Sequence, residues 1–331
     1  MNLFFYFCKK NNMLKILNKF VVLQWILTLT LLIISTFFIF KSSIPLPSTG
    51  FPILYQGIFD FMSHSIIGYQ ILVLFILIST LILIQIYFSK NKFTSKQSLL
   101  PSIFYLTLLL VSGSIHHIGP IFFTNFFIII ILTLTEAYFK TNSKSQLFFS
   151  GIIIGFSILI DPASSILLLF IIVSMIINTV ISHKDLLIVL YGILTVCIYL
   201  ISFYYFTDHI EWLWSNFQQI RMFSLFNTPI ILKPIEYVMI PISIVIFIYI
   251  VFKINSVYET KVIVMRKKII TFNTLIFCLL GTFLLSYCST HDFIGYLYVP
   301  ICMLLSIFSQ FKNRFFIHDI LIILFIVGLW V

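Results

Sequence analysis

Long apolar runs follow one another along this whole chain, and its cations crowd into every second gap between them. The runs cover 20–40, 66–88, 99–115, 118–139, 147–160, 163–181, 186–206, 235–252, 269–288, 293–311 and 315–331. A helix needs about twenty apolar residues to cross a bilayer. Inside lipid every backbone polar group must be satisfied within the protein, so runs of this length specify membrane-spanning helices. With the gaps assigned alternately to two sides, all but three of the twenty Lys and Arg fall on one side. The exceptions are Lys41, Arg221 and Lys233. Such one-sidedness is the positive-inside rule, and it puts the N-terminus in the cytoplasm. A missed span would scramble the pattern, so it supports both the spans and their direction.

The composition agrees with a membrane solvent. The chain is 61% hydrophobic and 9% charged, with a mean hydropathy of +1.14. No soluble domain needs that much apolar surface. In a soluble protein a net charge of +10 would point to nucleic acid. Here the cations are short cytoplasmic flanks of helices, so nucleic acid is excluded as a partner and membrane lipids are the expected one. Cys8, Cys197, Cys278, Cys288 and Cys302 show no metal or redox spacing and read as small core residues. The N-terminus lacks a secretory cleavage pattern, and Met13 offers a second candidate start before a basic lead into the first span.

These features predict an all-α, polytopic transmembrane protein. Residues 1–19 form a cytoplasmic segment, and 20–331 form one transmembrane domain. The span count is nine to eleven. The run 147–160 is short, and Asp161-Pro162 interrupts the chain before the next run. Proline lacks the N–H a helix ladder needs, so 147–181 reads as two spans or as a re-entrant pair. The runs in 99–139, split at Gly119-Pro120, carry the same ambiguity. Two outward segments are long enough to hold structure, 41–65 and 207–234. In the first, Gln56, Asp60, Ser63 and His64 fall on one side of a short helix and Leu54, Ile58 and Phe61 on the other. In the second, Ile210, Leu213, Trp214, Phe217 and Ile220 form an apolar stripe suited to the membrane interface.

Groups able to do proton or metal chemistry show a second asymmetry. His64, His116, His117, His209 and His291 lie on the outward side, with Asp60, Asp161, Asp208, Glu211 and Asp292. Asp60 and His64, four residues apart, suit a general base with its orienting partner, a metal pair, or two solvated polar residues. The pair His116-His117 lies in a tight outward turn, where both rings could approach one ligand only in a loop. Asp161 is the sharpest single position. It can cap the helix that follows, with Pro162 in its first turn, or line a polar site between broken helices. Gly151 and Gly155 nearby form a small-residue face that permits close helix packing. Glu136 and Glu236 read as span-end residues, so a row of ionisable groups at the midplane, usual in a proton or ion pump, is lacking. No nucleotide-binding or hydrolase motif is present, and neither a metal nor another cofactor is expected.

Two resemblances follow from texture rather than from catalytic residues. YFSKNKFTSKQSLLPSIFYLTLLL, NFFIIIILTLTEAYFKTNSKSQLFFSGIIIGFSILIDPASSILLLFIIV, DLLIVLYGILTVCIYLISFYYF and RKKIITFNTLIFCLLGTFLL look like a Bacteroidota family of polytopic inner-membrane proteins of unknown function. More distantly, an early outward loop after the first span and paired spans with short inward links resemble the GT-C glycosyltransferases. That likeness implies a transferase taking sugar from a polyprenyl-phosphate donor at the periplasmic face. Asp60 would be its base and His64 the partner of that base. Arg221 and Lys233 would hold the phosphate. Apart from that likeness, Asp161, His116 and His117 are further candidate substrate-binding residues. The chain departs from the GT-C pattern in placing a single acid twenty residues beyond the first span. Two other readings stand beside this one. The first is a transporter or flippase with its path near Asp161, and the second a non-catalytic subunit of an envelope complex.

Overall fold

The structure is a computed structural model describing residues 21–41, 66–91, 93, 98–112, 115, 119–178, 182–211, 213–214, 236–258, 263–281 and 295–309. Among these residues the fold is helical throughout, with no strand. The helices are α1 (Val21–Lys41), α2 (Ile66–Lys90), α3 (Leu100–Val111), α4 (Ile121–Thr141) and α5 (Lys144–Ile160). After a 3-10 turn (Pro162–Ser165) come α6 (Ile166–Ile177), α7 (His183–Phe206), α8 (Glu236–Tyr258), α9 (Ile263–Leu280) and α10 (Tyr298–Ser309). Four of them, α1, α2, α4 and α7, are long and apolar enough to cross a membrane.

Local chemistry sets the ends of several helices. Pro101 sits in the first turn of α3, where its missing N–H costs nothing. The Leu99 amide ahead of it donates to Oε1 of Gln24 on α1, at 2.8 Å, so one helix caps another. The C-cap of α4 is Asn142, left-handed at φ 53°, a backbone state asparagine tolerates better than most residues. Ser182 caps α7 by accepting from the Lys184 amide. Asp185 lies in that first turn and also accepts from the buried Tyr138 hydroxyl at 3.1 Å.

Packing separates a centre from a rim. Every residue of α10 is buried, as is much of α4. By contrast α1 buries only Gln24, Ser35 and Ile39. On α7 the buried set is Asp185, Val189, Gly192 and Val196, spaced as one helical stripe. The rest of α1 and α7 turns large apolar side chains outward, including Val22, Phe37, Tyr199 and Phe206. Lipid is the solvent such faces suit.

Helices α5 and α7 run parallel through a contact that only glycine permits. A Cβ on Gly151 would lie 2.2 Å from the Val189 carbonyl oxygen, and one on Gly192 would lie 2.4 Å from the Phe148 oxygen. Gly155 faces Val196 one turn along. The small-residue face read from Gly151 and Gly155 is therefore used, and Gly192 completes it.

The cross-helix bonds agree with strict alternation of direction. Gln24 meets Leu99, and Gln85 meets the Ser98 carbonyl; all four are at ends the charge pattern assigns inward. Gln70 reaches the Phe40 carbonyl and Asn125 the Gly295 carbonyl, all at outward ends. Parallel packing of α5 and α7 requires a descending segment between them, and α6 supplies it. Two boundaries facing each other moved: the run expected to end at 252 continues to Tyr258, and the run expected to begin at 269 starts at Ile263, so Arg266, Lys267 and Lys268 lie within α9. Lys and Arg are good helix formers, and their long stems let the charge reach the interface from inside a helix. The proposed span 315–331 and the helix in 41–65 lie outside the described residues.

Candidate functional site: two buried carboxylate centres

The first centre grows from the break after α5. A residue before proline is pushed out of the helical region, and Asp161 is extended at φ −151°, ψ 105°. Its carbonyl accepts from the Ser164 amide at 3.0 Å and the Ser164 hydroxyl at 2.7 Å. Its side chain caps the turn, Oδ1 accepting from the Ala163 amide at 3.1 Å. The other oxygen, Oδ2, accepts from the Tyr296 hydroxyl at 2.5 Å and lies 3.1 Å from Thr124 Oγ1. That hydroxyl is also 3.2 Å from the Pro120 carbonyl, so a single proton serves two acceptors. Beside it, Asn125 Nδ2 donates to the Gly295 carbonyl at 3.1 Å.

Asp161, Thr124, Asn125 and Tyr296 are all buried. They join the start of α4, the α5–α6 break and the chain entering α10. Each end involved is outward by the charge pattern. Both readings of Asp161 bear on this geometry. The cap is present, and the same carboxylate is the hub of a polar centre between broken helices.

The second centre lies at the inward ends, where sequence reading saw only a span-end acid. Glu136 on α4 is 5% exposed. Its Oε1 accepts from the Tyr87 hydroxyl of α2 at 2.5 Å. Its Oε2 is buried with no hydrogen-bond partner, and the Lys140 ammonium stands 3.9 Å away. Lys140 donates instead to Asn91 Oδ1 at 3.1 Å. Lys268 of α9 donates to the Asn91 backbone carbonyl at 3.3 Å and lies 5.9 Å above the Phe93 ring. Sequence spacing carries one signal of this centre, the Glu136–Lys140 pair four residues apart on α4; Tyr87, Asn91 and Lys268 come from elements far apart in the chain, and nothing local marks them as its partners.

The remaining site residues divide plainly. Asp60, His64, His116, His117, Arg221 and Lys233 lie outside the described residues, as do His291 and Asp292. Asp208, His209 and Glu211 are exposed beyond α7. Asp208 is left-handed at φ 56°, and the His209 ring contacts the Thr207 carbonyl. Of the stripe expected in 207–234, Leu213 is buried while Ile210 and Trp214 are exposed. Among the described residues no three His, Cys, Asp or Glu side chains gather as a metal site would require.

The described residues form a helical bundle with lipid-compatible outer faces, buried polar ties and four helices long and apolar enough to cross a membrane, which is the architecture of a membrane protein. Its sequence matches, over residues 29–331, the family described as "Family of unknown function (DUF6427)", and the chain belongs to that family. No curated protein and no solved structure matches it.

Proposed function

We propose that this protein sits in a bacterial inner membrane and acts at its outward face on a polyprenyl-linked sugar, in the manner of a GT-C glycosyltransferase or an inactive relative. The observation that carries this reading is the outward gathering of acid and imidazole groups. Asp60 is the proposed base, His64 its partner, and Arg221 and Lys233 the phosphate contacts. His116 and His117 are the further substrate contacts on that face. Asp161 takes a supporting part: the bonds to Thr124, Tyr296 and Ala163 tie together the helix ends from which the outward loops depart.

The geometry of Asp161 also favours a second reading, a non-catalytic subunit of an envelope complex. Both carboxylate oxygens already accept hydrogen bonds from within the protein, which suits a structural tie. The same engagement weighs against a transport path running through this carboxylate. Complementation of a deletion strain separates the readings when membrane abundance is measured alongside. The enzyme reading expects Asp60→Ala to fail at normal abundance. Full complementation by Asp60→Ala and His64→Ala would overturn it and leave the subunit reading in place.

A further inference from the structure

We propose that Lys140, Lys268 and Asn91 form a specific seat for the phosphodiester headgroup of an anionic phospholipid at the inward face. The two ammonium groups come from different helices, α4 and α9, yet both are drawn onto one buried residue. Asn91 is 2% exposed. It takes Lys140 on its side-chain oxygen and Lys268 on its backbone oxygen. Phe93 floors the seat under Lys268, and Tyr87 and Glu136 close it from behind. The Lys140 side chain remains 51% exposed, so the seat opens toward the headgroup layer rather than into the bundle.

Charge selects the occupant. Among the described residues the two ammonium groups of the seat face one carboxylate, Glu136, so positive charge is in excess there. A phosphodiester carries one negative charge and balances it. Free phosphate carries more near neutral pH, and a zwitterionic headgroup brings its own cation. Ammonium–phosphate hydrogen bonds are charge-assisted and strong. Basic pockets between helix ends on the cytoplasmic side are where such headgroups bind. Lys90, Lys144, Arg266 and Lys267, exposed on the same side, add a diffuse attraction that concentrates anionic lipid near the seat without positioning it.

The test uses the full chain in neutral detergent, with thermal unfolding followed as lipid is titrated into mixed micelles. The probes are phosphatidylglycerol, phosphatidylcholine and inorganic phosphate. Phosphatidylglycerol should raise the melting temperature with saturation, and the other two should not. Lys140→Gln/Lys268→Gln should weaken the apparent affinity by roughly 25-fold, taking about fivefold for each lysine. Lys144→Gln/Lys267→Gln, on the same face, should weaken it less than fivefold. Equal losses in the two double variants would reduce the effect to diffuse surface charge and overturn the seat. So would saturation by inorganic phosphate, or equal stabilisation by phosphatidylcholine. Should the first double variant not fold, Lys268→Gln alone leaves the Lys140–Glu136 pair intact. It should still lose about fivefold, and an unchanged affinity there would also sink the proposal.

Discussion

Asp161 and Glu136 are both 5% exposed, and each accepts from a buried tyrosine, yet their surroundings differ. At the outward end Asp161 engages both oxygens with three described donors, all uncharged: a backbone amide, a threonine and a tyrosine. At the inward end Glu136 accepts from Tyr87, with the Asn91 side chain also within its reach, and two cations act on it, Lys268 and Lys140, the latter 3.9 Å away. Burying a carboxylate is tolerable only when its charge is matched by donors or by cations. The two ends use these two solutions. The first, through its described donors, ties helix ends together. The second leans on lysines that reach the interface, so it answers to whatever lies there.

The largest expected effect is from Asp161→Ala. It removes the acceptor that the Tyr296 hydroxyl, the Ala163 amide and the Thr124 hydroxyl share among the described bonds. Removing a buried donor's acceptor costs about 1–3 kcal/mol, although hydrogen bonds between membrane helices average nearer 0.6 kcal/mol. A loss of about 3 kcal/mol is expected, read as a lower melting temperature in detergent and reduced membrane abundance. Normal stability in this variant would remove the outward half of the comparison.

Tyr87→Phe comes next. Glu136 then loses its short hydrogen bond, and the cost is about 2 kcal/mol, in the range for bonds to charged groups. The matching change outward, Tyr296→Phe, leaves Asp161 with the Thr124 and Ala163 donors. Its cost should be about 1 kcal/mol. The order of these two measurements is the informative part. A Tyr296→Phe loss exceeding that of Tyr87→Phe would mean that redundancy of donors does not protect the outward centre.

Sequence patterns reached the elements of this fold but not the ties between them. Helix spans, the break at Asp161-Pro162 and the packing face of Gly151 and Gly155 follow from hydropathy, proline chemistry and residue size. These are local properties, visible in a short window. Tyr296 lies 135 residues from Asp161, and nothing in its neighbourhood marks it as a partner. Gly192 looks like an isolated helix glycine until α5 is laid against it. Glu136 reads as a span-end acid from its position, and its position is right. Its burial depends on α2, which the sequence cannot rank as a neighbour of α4. The candidate outward site was legible as a list of residue types on one side of a membrane. Only its Asp161 member lies among the described residues within a built polar centre.

The smallest expected effect is the most selective. Glu136→Gln keeps a carbonyl oxygen for Tyr87 and turns an amide toward the place where Oε2 has no hydrogen-bond partner. It should cost less than about 1 kcal/mol, whereas in Asp161→Asn the amide must replace an oxygen that already accepts a donor, at about 2 kcal/mol. Salt then separates the causes. Raising ionic strength shortens the screening length from about 10 Å at 0.1 M toward about 3 Å at 1 M. Lys140 is exposed enough to feel this, so the Glu136→Gln difference should shrink with salt in thermal unfolding. The Asp161→Asn difference rests on buried hydrogen bonds to uncharged donors and should hold constant. A salt-dependent cost at Asp161 would mean that a cation contributes at the outward end as well, and the two centres would then be variants of one design.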